Sequence, residues 1–167
     1  MKRALLLTIL GLMLAGFQSA QRPNFSGVWQ LDMNKSTNLP ESFKSVESYT
    51  TDVRQTKDSM VIMARLVGNG QDVKFPVTAY LLNGSEVFRE DTLRLSKRWS
   101  KLTWPKTGKK LIVHSRVEQA RRTPAEKYTQ NDVWELTDRN TLQMSVTQKS
   151  PDGKELHSER RIFHRVK

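Results

Sequence analysis

The chain contains no cysteine. A disulfide framework, a thiolate metal site and a cysteine nucleophile are therefore all excluded. The fold has to stand on packing and on backbone hydrogen bonds. Histidine is scarce, with only His114, His157 and His164 present. None is spaced from another histidine or from an acid as metal ligands are, and His157 and His164, seven apart, fall on opposite faces of one extended run. No metal and no cofactor are expected. No serine sits in a Gly-any-Ser-any-Gly elbow, and Gly68-Asn69-Gly70 is followed by no helical pattern that would make it a phosphate loop. Adjacent carboxylates such as Glu90 and Asp91 point to opposite faces of a strand, whereas paired acid–base work needs them on one. Nothing in the sequence favours an enzyme. Helical periodicity, repeats of fixed period and low-complexity segments are also missing. Acids are in deficit, 17 against 28 Lys and Arg.

The first twenty residues have a character of their own. Met1, Lys2 and Arg3 are followed by an uncharged, Leu-rich run from Ala4 to Phe17, and then by Gln18, Ser19 and Ala20. That order is the pattern of a secretory signal peptide. The apolar run falls short of the ~20 residues of a membrane span. Residues 1–20 are expected to be a signal peptide and residues 21–167 one domain, periplasmic or secreted, with no transmembrane span after cleavage. The formal charge of +11 falls by two when Lys2 and Arg3 leave. So basic a chain would ordinarily suggest nucleic acid, but export argues against that partner. An anionic envelope surface or an anionic ligand suits the charge better.

Beyond residue 20 the dominant signal is alternation. Phe25, Gly27, Trp29, Leu31 and Met33 share one face. So do Val73, Phe75, Val77, Ala79 and Leu81; Leu111, Val113, Ser115 and Val117; and Leu142, Met144 and Val146. A period of two places each set on the buried face of a strand. Turn residues punctuate these runs, most clearly at Ser150-Pro151-Asp152-Gly153-Lys154. About ten strands are predicted, at 25–33, 46–55, 60–67, 72–82, 86–95, 97–104, 110–120, 127–137, 141–149 and 155–166. The stretch from Asn34 to Lys44 reads as a loop in which Leu39, Pro40 and Phe43 form a short lid or helical turn. Consecutive hairpins leave two free edges unless the sheet closes on itself. The expected fold is therefore all-β, a single antiparallel up-and-down barrel of about eight to ten strands.

At Phe25-Ser26-Gly27-Val28-Trp29 the sequence resembles the lipocalin-like (calycin) barrels, whose first strand carries Gly-any-Trp with an aromatic two residues before the glycine. The whole chain after residue 20 is similar to small exported bacterial lipocalin-like proteins, which open with a segment like FSGVWQLDMNKS. They close with hairpins like Asp132 to Leu136 and Ser150 to Lys154. The family's Thr-Asp-Tyr turn is absent; Thr137-Asp138-Arg139 shares only its first two residues. The resemblance implies that a last-strand arginine, Arg160 or Arg161, lies across Trp29. Phe25, Gly27, Trp29 and that arginine then form the structural motif of the closed end.

Export, a barrel and a basic balance together suggest a carrier. The expected ligand is a small apolar or amphipathic molecule, anionic and lipid-like if basic side chains line the cavity. The candidate ligand-binding residues are Trp29, Phe75, Val77, Tyr80, Trp104, Val113, Trp134, Met144 and Arg160. Arg89 and Arg116 are further strand arginines able to supply a charge partner. Trp99 and Trp104, five apart, face opposite sides, so one of them lies outside or at a rim. Met60 to Val67 is apolar on both faces except at Arg65, which suits a strand under the lid or a partner contact. The alternative function is a non-enzymatic envelope interaction module with a filled barrel and a basic outer surface.

Overall fold

A computed structural model of the protein describes residues 22–92, 95–105, 108–120 and 126–166. Residues 1–20, read above as a signal peptide, lie outside the described residues. The described chain is built from antiparallel strands: β1 (Gly27–Thr37), β2 (Val46–Gln55), β3 (Ser59–Gly68), β4 (Gln71–Lys74), β5 (Thr78–Leu81), β6 (Val87–Asp91), β7 (Ser96–Thr103), β8 (Lys110–Gln119), β9 (Glu126–Asp138), β10 (Thr141–Lys149) and β11 (Glu155–Arg165). Among the described residues no helix is long and apolar enough to cross a membrane.

Consecutive strands pair as hairpins except at β4–β5 and β5–β6, and β1 pairs with β11, so the first and last strands among the described residues lie side by side. The turn chemistry matches the sequence. Asn69 and Gly70 have φ of 50° and 69° between the paired Gly68 and Gln71, the doubly left-handed turn that twists with its strands. At Ser150–Lys154, the Gly153 amide bonds to Ser150 O at 2.9 Å and Gly153 takes φ 88°. The expected helical turn appears as a 3-10 turn at Glu41–Phe43.

Three expectations need correction. First, β1 runs on through Asn34 to Thr37, which the sequence reads as loop. Asp32 accepts the amides of Asn34 and Lys35, and Ser36 Oγ accepts the Ile162 amide, so side chains carry an irregular stretch of ladder. Second, the strand expected over 72–82 is broken at Phe75–Val77. Pro76 has no N–H to give to the ladder. Val73 pairs with Leu66 but Thr78 pairs with Ile62, a slip of one residue. The inward face therefore passes from odd to even numbers. Thr78, Tyr80 and Leu82 turn inward, while Val77 and Leu81 are 56% and 41% exposed instead of buried.

Third, the ladder does not close. β5 pairs with β3, β6 pairs only with β7, and no ladder joins β5 to β6 among the described residues. The sheet nevertheless rolls far enough to bring these ends together, because Arg89 of β6 donates to Thr78 Oγ1 of β5. We call this side-chain-bridged gap the seam. The break in β4–β5 and the shortness of β6 account for it, since neither offers the other a regular edge.

The inside of the rolled sheet has two halves. The end nearest Trp29 is solid. Phe25, Trp29, Met60, Leu102, Leu111, Val113, Leu142 and Phe163 are all buried there in one cluster. Phe25 meets Trp134 edge-on at 5.9 Å and stacks near Trp104 at 6.3 Å. Trp29 Nε1 donates to Phe25 O at 2.9 Å, so the indole is both packed and satisfied. The other end, under the 3-10 turn, is lined by polar side chains.

Candidate functional site

The polar half is assembled by strand parity. On β7 the inward residues are Arg98, Ser100 and Leu102, on β8 Ser115, on β9 Gln130 and Asp132, and on β11 Glu159 and Arg161. Leu102 continues into the apolar core, and Arg98 and Ser100 stand above it. Ser100 Oγ and Ser115 Oγ are 3.0 Å apart. Arg98 makes long contacts, 3.5 Å to Ser115 Oγ and 3.3 Å to Gln130 Oε1. Gln130 in turn donates to Asp132 Oδ1 at 2.8 Å. Asp132 is enclosed by protein groups while part of its surface still faces the interior, and this burial pushes its carboxyl above the usual carboxylate range.

Deeper on β11, Arg161 pairs with the buried Glu159 and lies 5.3 Å under the Phe43 ring of the 3-10 turn. Phe43 rests on Tyr49, which also touches Phe75 and Phe163. The turn is thereby stapled over the polar end. His157 Nε2 sits 3.5 Å from Glu159 Oε2, an ion-pair distance without hydrogen-bond geometry.

Two recesses open at the seam. One, of about 200 Å³, is lined by residues including Thr78, Tyr80, Arg89, Arg98 and Ser100. The other, of about 180 Å³, shares Thr78, Tyr80 and Arg89 with it and extends toward Tyr49, Phe75 and the acidic Asp91. Each is smaller than the roughly 300 Å³ of a typical small-molecule pocket, a size that suits a head group and not a whole ligand. Tyr80 is only 7% exposed, and its side chain lines both recesses. Burial holds its hydroxyl protonated, with its pKa pushed up to about 12. Neither Arg89 nor Arg98 has a carboxylate within ion-pair distance among the described residues. Two guanidinium groups and a phenol therefore line one recess; the acids nearest them are Asp132, which acts on Arg98 and Tyr80 through its charge, and Asp91, which lines the adjoining recess.

A larger recess, about 380 Å³, lies on β7–β9 beside Trp99, Lys127 and Pro151. Its charged groups are already matched: Arg116 with Glu86 at 3.0 Å and Lys127 with Glu118 at 3.1 Å. Its chemistry is less demanding than that of the seam. Among the described residues no group of three His, Asp or Glu side chains is placed to hold a metal ion.

The residues singled out from sequence divide. Tyr80, Val77 and Phe75 line the seam recesses. Trp29, Val113, Trp134 and Met144 are buried in the solid half, and Trp104 is half-buried beside Phe25 with Arg22 over its ring. Arg160 points outward and is exposed. The arginine across Trp29 is neither Arg160 nor Arg161 but Arg165, whose guanidinium carbon lies 4.2 Å from the ring centre. The reason is register: the inward residues of β11 are odd-numbered, and Trp29 is paired with Arg165. Arg98 and Ser100 went unnoticed in the sequence, although their alternation with Lys97, Trp99 and Lys101 around Leu102 carries the signal.

No protein-family model matches the chain, and no curated protein matches it. The site therefore has to be read from its own chemistry.

Proposed function

We propose that the protein is an exported, periplasmic or secreted, lipocalin-like binding protein that takes a small anionic amphiphile at the β5–β6 seam. One observation carries this reading: Tyr80, Arg89 and Arg98 line a single recess, and among the described residues neither guanidinium has a carboxylate at ion-pair distance. A buried or half-buried guanidinium is costly unless a hydrogen-bonding anion meets it. A carboxylate or sulfonate headgroup supplies that anion, and Val77, Ala79 and Val87 supply apolar wall.

The solid lower half supports a second reading, an interaction module whose basic outside meets an anionic envelope surface. Calorimetric titration with octanoate separates the two. The carrier reading expects saturable binding that weakens at least tenfold in Arg98→Gln, because hydrogen bonds to charged groups contribute about 1.5–3 kcal/mol each. Tyr80→Phe is expected to weaken binding less, since it removes one neutral donor. Binding that is absent, or indifferent to both substitutions, sinks the carrier reading and favours the surface module.

A further inference from the structure

The recess between β5 and β6 is bounded by residues from both faces of the sheet. Thr78, Tyr80 and Arg89 belong to the inward face, whereas Val77, Ala79 and Phe88 belong to the outward one. It is thus a passage through the wall and not a dent in either surface. Such a passage exists only because the β5–β6 ladder is missing, since a hydrogen-bonded pair of strands leaves no gap.

The two mouths of the passage differ. Inside are Tyr80 and the guanidinium groups of Arg89, which donates to Thr78, and of Arg98, which reaches Ser115 and Gln130. Outside is an apolar strip. Phe88 is 52% exposed and packs on Trp99 with ring centres 5.2 Å apart. Val77 and Leu81 on the other bank are 56% and 41% exposed. Ala79 is paired with Val61 of β3, which extends the strip beyond β5. Large apolar side chains gathered on one outer face call for a partner. The inside offers the tail little room, because the apolar half of the interior is filled by its own side chains.

We infer that the amphiphile is held head-in and tail-out: its anionic group sits among Tyr80, Arg89 and Arg98, and its alkyl tail leaves through the seam to lie on the strip of Val77, Leu81, Phe88 and Trp99. This rests on the anion-binding reading above and deepens it by naming the ligand class. The ligand is a single-headed amphiphile whose chain is longer than the recess. A tail left outside also remains accessible to a membrane or to a second carrier, so loading and unloading need no opening of the fold.

The test is a chain-length series of linear carboxylates, from butyrate to decanoate, titrated below their micellar concentrations. Wild type is expected to gain about two- to fourfold in affinity per methylene once the chain reaches the strip, as buried apolar surface requires. Phe88→Ser is expected to flatten that gain; as Phe88 is half-exposed, the fold survives its loss. A second measurement uses decanoate brominated at its terminal carbon. Its bromine is expected to quench Trp99 fluorescence, with the quenched component absent in Trp99→Phe. If butyrate binds and decanoate binds no tighter, or if Phe88→Ser keeps the full chain-length gain without Trp99 quenching, head-in, tail-out binding is overturned and the anion site stands. If no carboxylate binds and Arg98→Gln changes nothing, the anion site falls as well.

Discussion

Arg165 occupies the space that a side chain at residue 27 would need. A Cβ built on Gly27 would lie 2.2 Å from Arg165 Nη1, and Gly27 has φ 142°, a backbone region L side chains rarely adopt. The same guanidinium donates to Ser26 O at 2.7 Å and to Arg139 O at 3.1 Å while covering Trp29. The glycine thus makes room for a clamp that ties the last strand across the first.

Gly27→Ala is expected to destabilise the fold by roughly 2–4 kcal/mol, the combination of backbone strain and a displaced cation–π contact. Urea unfolding followed by tryptophan fluorescence measures it. A change below about 0.5 kcal/mol, the scale of an ordinary surface substitution, would contradict the clamp.

Neighbouring arginines on β11 should behave oppositely. Arg160 is exposed, so Arg160→Ala is expected to change stability by less than about 0.5 kcal/mol. Arg161 pairs with Glu159, whose side chain is only 2% exposed. Arg161→Ala strands that carboxylate and is expected to cost about 3 kcal/mol. Adding Glu159→Gln to Arg161→Ala should recover much of the loss. Equal effects of the two alanine substitutions would mean that the strand's facing is misassigned.

Tyr80 gives the protein an alkaline signature. Its folded pKa, about 12, stands above the ordinary value of 10.0. The folded state keeps a proton that the unfolded state releases, so stability falls as pH rises from about 10 to 12. Below pH 10 both states are protonated and the group contributes no pH dependence. Ultraviolet titration of phenolate should find a late-ionising tyrosine that Tyr80→Phe removes, along with part of the alkaline loss of stability. A tyrosine titration unchanged by that substitution counts against a buried hydroxyl.

The seam also predicts where the backbone opens. β6 is hydrogen-bonded on one side only, whereas β9 and β10 are laddered on both. Amide hydrogen exchange in β6 is expected to be faster than in β9 and β10, and to slow when octanoate is bound. Uniform protection across all strands would imply a ladder between β5 and β6 in solution.

The sequence announces some of this architecture and conceals the rest. Strict alternation at Leu142, Met144 and Val146, with a strong turn signal at Pro151 and Gly153, leaves little freedom in that hairpin, and it forms as read. At Val73 to Leu81 the same alternation misleads. Proline 76 introduces a one-residue slip that a period-two pattern cannot register, so Tyr80, not Ala79, turns inward. The arginine over Trp29 depends on the pairing of two strands over 130 positions apart in the chain, and no local pattern reports it. Arg98 is legible through Leu102, but its surroundings, Ser115, Gln130 and the charge of Asp132, are set by three-dimensional neighbours alone.

The pairing of β1 with β11 carries a consequence for a nascent chain. Trp29 is made long before Arg165, so until β11 is made β1 has β2 on one flank and lacks its partner on the other. An unpaired strand edge beside an uncovered indole is an invitation to self-association. Closing that longest loop makes folding slow to complete, because its entropy must be met before its contacts form. A chaperone holding the emerging polypeptide would have to protect β1 until β11 arrives.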